Sequence, residues 1–182
     1  MSSFLHQTEL EDGTPVLIRL LEPTDEGEVM LGFTRLSASS KYYRLMMNPN
    51  QFPDNLLKKK MARINDENDL VICAWDLSKD PVLGIGTAMY AEVKDEPKVA
   101  EAALTVIDSY QQRGLGTVLL KALAYLAYQK GFRHFRGYLL AANQGIVRLI
   151  ERFGAKARYS GEAMLQVDVE LYPFVKDSEF GK

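Results

Sequence analysis

At 182 residues, with 47% apolar and 25% charged side chains, the chain has the length and composition of one soluble domain with a full core. A formal net charge of −2 excludes a basic nucleic-acid footprint, and no apolar run is long enough to cross a bilayer, so neither nucleic acid nor membrane is an expected partner. The single Cys73 excludes an internal disulfide and fits a cytoplasmic location. The opening MSSFLHQTELEDG lacks the charge and apolar stretch of a signal peptide. His6 and His134 are too few and too scattered for a histidine-rich metal site, and no metal is expected.

Residues 1–13 read as an N-terminal arm or hairpin strand ending at an Asp12-Gly13 turn, and Thr14–Leu21 as the strand that follows. Pro23-Thr24-Asp25-Glu26 opens a helix whose apolar stripe is Val29, Met30, Phe33 and Leu36. Ser37–Met46 predicts a second short helix. Asn48-Pro49-Asn50 and Pro53 mark a loop, and Asn55–Ile64 a third helix, with Lys58-Lys59-Lys60 on its solvated face. Leu70–Asp76, Val82–Val93 and Val99–Asp108 follow as strands joined by short turns, which predicts an antiparallel meander. The apolar face of Leu115–Lys130 predicts a helix that stops at Gly131. The strand His134–Leu140 then pairs parallel with the strand before that helix, because a helical crossover joins them. Asn143 caps a helix carrying Ile146, Leu149, Ile150 and Phe153. Ala155–Tyr159 and Met164–Leu171 form a terminal hairpin around Ser160-Gly161, and 176–182 reads as a loose tail. The whole is an α/β chain of the α+β kind, a single domain over residues 1–182.

The most informative stretch is Gln111-Gln112-Arg113-Gly114-Leu115-Gly116-Thr117, between a strand and a helix N-terminus. Helix-opening amides have no partner within the helix and carry the positive end of its dipole, so a phosphate is well placed there. Gly114 and Gly116 let an anion approach the main chain with no Cβ in the way. Gly116 is followed by Thr117-Val118, not the Lys-Ser/Thr of a mononucleotide loop. Leu119 stands where a dinucleotide fingerprint needs a third glycine.

The Q-x-x-G-x-G pattern in this strand–loop–helix setting resembles the acyl-CoA-binding loop of the GNAT acyltransferase superfamily, and the order of elements is similar over nearly the whole chain. The stretches IRLLEPTDEG, FTRLSASSKYYRLM, AEAALTVIDSYQQRGLGTVLL and NQGIVRLIERFG look like those of the Pat-type protein lysine acetyltransferases. The resemblance implies the GNAT fold: a mostly antiparallel central sheet with one splayed parallel strand pair, flanked by helices. It implies acetyl-CoA as co-substrate, with its pyrophosphate on the main chain of Gln111, Gln112, Arg113, Gly114, Leu115, Gly116 and Thr117. It also implies that main chain at Val106 pairs with the pantetheine arm and meets the thioester oxygen, that Asn143 bonds the same arm, and that Glu101 in A-E-x-A-x-x-V is the general base. Glu101 and Asn143 are thus the residues implied for catalysis.

Aminolysis of a thioester needs a neutral amine. A lysine pKa of about 10.4 lies roughly 3.4 units above neutral pH, so deprotonation costs about 4–5 kcal/mol, part of which a general base offsets. Asp108 beside the loop would repel phosphate and reads as a turn or cap residue. Arg113 and Arg148 are candidates to add charge near the phosphates. Many family members carry a tyrosine seven residues after the asparagine as acid for the departing sulfur; here that position is Ile150, and Tyr110 and Tyr138 are candidate replacements. The expected acceptor is a primary amine, by resemblance a protein lysine. Transfer to a small-molecule amine stays open, as does a CoA-binding module without catalysis, which Ile150 favours and Glu101 opposes. The sequence fixes no oligomeric state, and a homodimer is compatible with it.

Overall fold

The computed structural model describes residues 4–46, 69–176 and 178–180. Eight strands form one sheet: β1 Leu5–Glu9, β2 Pro15–Leu20, β3 Asp69–Asp76, β4 Leu83–Glu92, β5 Val99–Val106, β6 His134–Leu140, β7 Lys156–Tyr159 and β8 Met164–Glu170. Their order is β1-β2-β3-β4-β5-β6-β8-β7, antiparallel throughout except for β5 beside β6. The parallel pair is the one joined through a helix, α3 Leu115–Gln129, as a crossover requires.

One sheet face carries the main core. Leu70, Ile72 and Ala74 of β3, Ala88 and Tyr90 of β4 and Ala100 of β5 pack with Leu115, Leu119 and Leu123 of α3. Strand alternation sends Cys73 and Trp75 to the opposite face, where they pack with Leu21 and Val29 beneath α1 Glu26–Thr34. That face is also covered by α2 Ala38–Leu45. The remaining helices are α4 Gln144–Glu151 and the short α5 Tyr172–Val175, which packs on α3. Among the described residues no helix is long and apolar enough to cross a membrane.

The predicted elements recur with specific corrections. The helix expected from Pro23 begins instead as a 3-10 turn, Pro23–Asp25, because the Asp25 carboxylate accepts from the Glu22 amide and from both ends of the Arg19 guanidinium. Met30 belongs to the solvent side of α1, while Leu36 is buried. The β5 strand ends at Val106, and Asp108 starts a 3-10 turn, Asp108–Tyr110. The segment beyond Val175 is not loose at Phe180, whose ring is buried against Phe4, His6 and Tyr125. The loop at Asn48–Pro53 and the helix expected at Asn55–Ile64 lie outside the described residues.

Candidate functional site

The site is a wedge between two parallel strands. β5 and β6 pair only at Val99–His134, Ala100–Phe135 and Glu101–Arg136. Beyond that rung β5 stays with β4 as far as Val106–Gly86, while β6 stays with β8 as far as Leu140–Met164. Each strand follows its antiparallel neighbour, and Ala102–Val106 is left without a partner on the β6 side.

That edge of β5 offers main-chain groups. The Ile107 amide donates to the Ile85 carbonyl on β4, 3.1 Å, so strand alternation turns the Val106 amide and carbonyl the other way, into the wedge. The Val106 carbonyl already accepts from the Gln111 side chain at 3.1 Å, leaving its amide for a ligand.

The loop at the wide end is built for converging amides. Gln112 and Gly114 both take left-handed conformations, with φ of 60° and 87°, which turn successive amides toward one side. Among the described residues, the amides of Gln112, Arg113, Gly114, Leu115 and Gly116 have no hydrogen-bond acceptor. The two ends of the expected set differ: the Gln111 amide donates to the Asp108 carbonyl and the Thr117 amide to the Gly114 carbonyl, so neither is open to a ligand. A Cβ on Gly116 would lie 3.2 Å from Leu149 Cδ2, so this glycine sets the approach of α3 to α4 and is not what opens the loop to an anion.

A neighbour that sequence reasoning missed holds this loop. The β1–β2 turn packs on it: the Glu11 amide donates to the Arg113 carbonyl, and Asp12 pairs with Arg113 at 3.0 Å. Hydrogen bonds from Thr14 and the charge of Arg113 hold the Asp12 carboxyl below the usual range. Arg113 also lies over the Tyr110 ring, 4.9 Å from its centroid. The Glu11 carboxylate sits where a Gly114 side chain would go, Oε1 3.1 Å from the Cβ position. These contacts join residues a hundred positions apart and have no local signature in the sequence.

On the narrow side of the wedge stands Glu101, the last β5 residue paired with β6. It is exposed, and no described group makes a hydrogen bond or ion pair with it. Its neighbour across the rung, Arg136, is drawn off by Glu96 and Asp168, which hold its guanidinium above the usual range. The Glu101 carboxylate is thus an exposed anion with no hydrogen-bond donor among the described residues, at the point where the wedge opens.

The helix α2 crosses over the wedge and is tied on both sides. Ser37 caps it, accepting from the Ser40 amide at 3.1 Å. The Asp108 carboxylate, just past β5, accepts from the Ser37 amide and from the hydroxyls of Ser37 and Ser40. Burial pushes the Asp108 pKa up, but these bonds outweigh it and hold the group below the usual range. Past β6, the Ala142 carbonyl accepts from the Tyr43 hydroxyl at 3.5 Å. Arg44 descends to the sheet, bonding Thr105 Oγ1 at 3.0 Å and Met89 Sδ at 3.3 Å. Burial lowers its pKa, and the charge of Glu101 opposes that. The stretch FTRLSASSKYYRLM stands out in the sequence, but nothing in it assigns a place at the wedge to Tyr43 or Arg44.

Asn143 caps α4 through Oδ1, which accepts from the Ile146 amide at 3.4 Å; its main-chain amide donates to the Leu140 carbonyl, and its side-chain Nδ2 has no partner among the described residues. Ile150 is buried with Leu139 and Val167, so its position is filled by packing. Tyr110 is unsuited to replace a missing acid: it is buried and donates to Asp76 at 2.5 Å. Tyr138 is half-exposed on β6, two residues beyond Arg136 and therefore on the same sheet face as Glu101. Arg148 is exposed on α4 and makes no ion pair among the described residues.

Comparison with known proteins agrees with this fold. The model of the Acetyltransferase (GNAT) family matches residues 39–155. The chain is 29% identical over 137 residues to an acetyltransferase of Pseudomonas aeruginosa, which covers 75% of this chain and 73% of that protein. It is 26% identical over 163 residues to the acetyltransferase Pat of Mycolicibacterium smegmatis, covering 88% of this chain and 48% of Pat, so it spans about half the length of that relative. Among solved structures, the GNAT domain of the S. lividans PAT superposes with a TM-score of 0.80 at 21% identity, covering 91% of this chain and 96% of that one. The yncA protein of Salmonella typhimurium, solved with its cofactor acetyl-CoA, gives a TM-score of 0.67 at 18% identity, covering 86% and 94%.

Proposed function

Because the chain belongs to the GNAT family of acetyltransferases, we propose that it moves an acetyl group from acetyl-CoA to a primary amine, the side chain of a protein lysine, by direct attack within a ternary complex. The observation that carries this reading is the exposed carboxylate of Glu101, without a hydrogen-bond donor among the described residues, on the last rung before β5 and β6 part.

The described residues fit acetyl-CoA. The amides of Gln112 to Gly116 would receive its pyrophosphate at the positive end of α3. The wedge edge of β5 would pair with the pantetheine arm as an added strand would, and the Asn143 side-chain Nδ2 would bond the same arm from the β6 side. The Val106 amide, turned into the wedge, would stabilise the charge that develops on the thioester oxygen. Glu101 accepts the amine proton as nitrogen bonds to the acyl carbon; the carbon–sulfur bond breaks and its electron pair leaves on the thiolate. A thiol of pKa about 8.5 is a fair leaving group without an acid, which accommodates Ile150 at the place of the family's tyrosine. The Pat-type resemblance and the match to Pat support lysine as the acceptor.

The test is turnover. The purified chain is given acetyl-CoA with a lysine-bearing protein or with small amines, and CoA release and acetylated products are measured. Acetyl-lysine is the expected product. Acetylation of small amines alone would replace the acceptor, and tight acetyl-CoA binding without CoA release would leave a binding module.

A further inference from the structure

Between α1, α2 and the sheet lies a cavity of about 160 Å³. Its walls include Leu21, Val29, Phe33, Leu36 and Trp75, and it reaches the active edge of the sheet at Thr105 and Ile107, the two neighbours of Val106. Strand alternation puts the Thr105 side chain on the face opposite the main core, while Ile107, just past β5, packs with that core; the two flank the residue whose amide faces the wedge. An acyl chain longer than acetyl, held there, has this cavity to enter.

One cation stands on its wall, Arg44, with the charge of Glu101 acting on it from outside the cavity lining. Glu28 is spoken for, since it pairs with Arg35 at 2.6 Å and accepts from the Gly84 amide. The Cys73 thiol, pushed up to about 12 by burial, is neutral. Among the described residues Arg44 hydrogen-bonds a hydroxyl and a thioether and no carboxylate, and Glu101 acts on it through charge alone. A guanidinium stays ionised in proteins, and a half-buried one gains from a carboxylate that it can hydrogen-bond directly. A cation here repels an ammonium and attracts a carboxylate.

We propose that this cavity is an acyl subsite for groups ending in a carboxylate, of succinyl length, with Arg44 receiving the distal carboxylate. The inference rests on the acyl-transfer reading above and adds the class of donor: CoA thioesters of short dicarboxylic acids. The volume equals roughly five water-sized groups, enough for two methylenes and a carboxylate. The bond changes are those of acetyl transfer, with the distal carboxylate a spectator.

The test compares kcat/KM for succinyl-CoA and butyryl-CoA, matched in chain length and different in charge, with acetyl-CoA alongside and one amine acceptor. The parent should favour succinyl-CoA over butyryl-CoA by about ten- to hundredfold, as a charge-assisted bond allows. Arg44→Leu should reverse that order, and Arg44→Lys should keep part of it. A parent that uses butyryl-CoA as well as succinyl-CoA overturns the proposal, as does a preference unchanged in Arg44→Leu. Should Arg44→Leu fail to fold, the parent's own ratio and that of Arg44→Lys decide. Turnover of acetyl-CoA without succinyl-CoA defeats the subsite alone, whereas no turnover of any thioester defeats the acyl-transfer reading itself.

Discussion

The Tyr110 hydroxyl donates to the Asp76 carboxylate at 2.5 Å across 34 residues of sequence, inside the core beneath the anion loop. Burial first, then this bond, raises the tyrosine to about 12. Burial alone would raise Asp76, but the bonds from Tyr110 and Ser78 outweigh it and hold the carboxyl below its ordinary 3.8.

Tyr110→Phe should therefore cost stability, about 2 kcal/mol for a bond to a charged group, and should leave the chemistry alone. The folded state holds the tyrosine proton more tightly than the unfolded state. That contribution is present in full below about pH 10 and is lost as pH rises through about 12. The contribution of Asp76 runs the other way, present above 3.8 and lost as pH falls through its folded value. Denaturant melts of parent and variant should differ by a constant amount from pH 6 to 9 and converge at higher pH. A variant as stable as the parent at neutral pH contradicts this account.

Glu101→Gln keeps the shape but cannot take the amine proton. Its rate should fall by roughly 10²–10⁴ while acetyl-CoA affinity barely changes. The deficit should shrink as pH rises and free amine accumulates. A pH–rate profile with a lysine-bearing acceptor checks this, and matching curves for parent and variant would remove Glu101 from the chemistry. A raised KM at unchanged kcat would assign it to acceptor binding instead.

Gly114→Asp should weaken acetyl-CoA binding strongly. The position has φ of 87°, which resists any side chain, and the new carboxylate would meet Glu11 as well as the phosphates. Calorimetry on the folded variant reads the affinity. An unchanged Kd would mean that phosphate binds elsewhere.

Ile150→Val removes one methylene from the cluster with Leu139 and Val167. It should cost about 0.5–1.5 kcal/mol in a denaturant melt and leave kcat per folded molecule intact. A drop in kcat at full folding would show that this position shapes the reaction after all.

The parts of the fold that periodicity controls were legible in the sequence. The stripe of Leu115, Leu119 and Leu123, the stop at Gly131 and the cap at Asn143 are local, and each recurs in the structure. The placement of Glu101 beside the wedge follows from the same local logic, since the crossover through α3 fixes the parallel partner. What could not be read depends on contacts distant in sequence. Met30 has the apolarity of a core residue but faces solvent, because only neighbouring elements decide which part of a stripe is covered. Phe180 looked like part of a tail until His6 and Tyr125 supplied its pocket. Arg44 is one basic residue in a polar helix, and its burial depends on where β4 and β5 lie beneath it.

The clasp between the β1–β2 turn and the anion loop sets the smallest piece of this chain that can work. The family match spans 39–155, yet a fragment trimmed to those bounds would omit Glu11 and Asp12, freeing Arg113 and the loop they steady. It would also omit β8, which pairs with β6 along its whole length, and so would leave one wall of the wedge as a bare sheet edge. The outlying strands at both ends of the sheet thus support the wedge and its loop, and any shortened version must retain them.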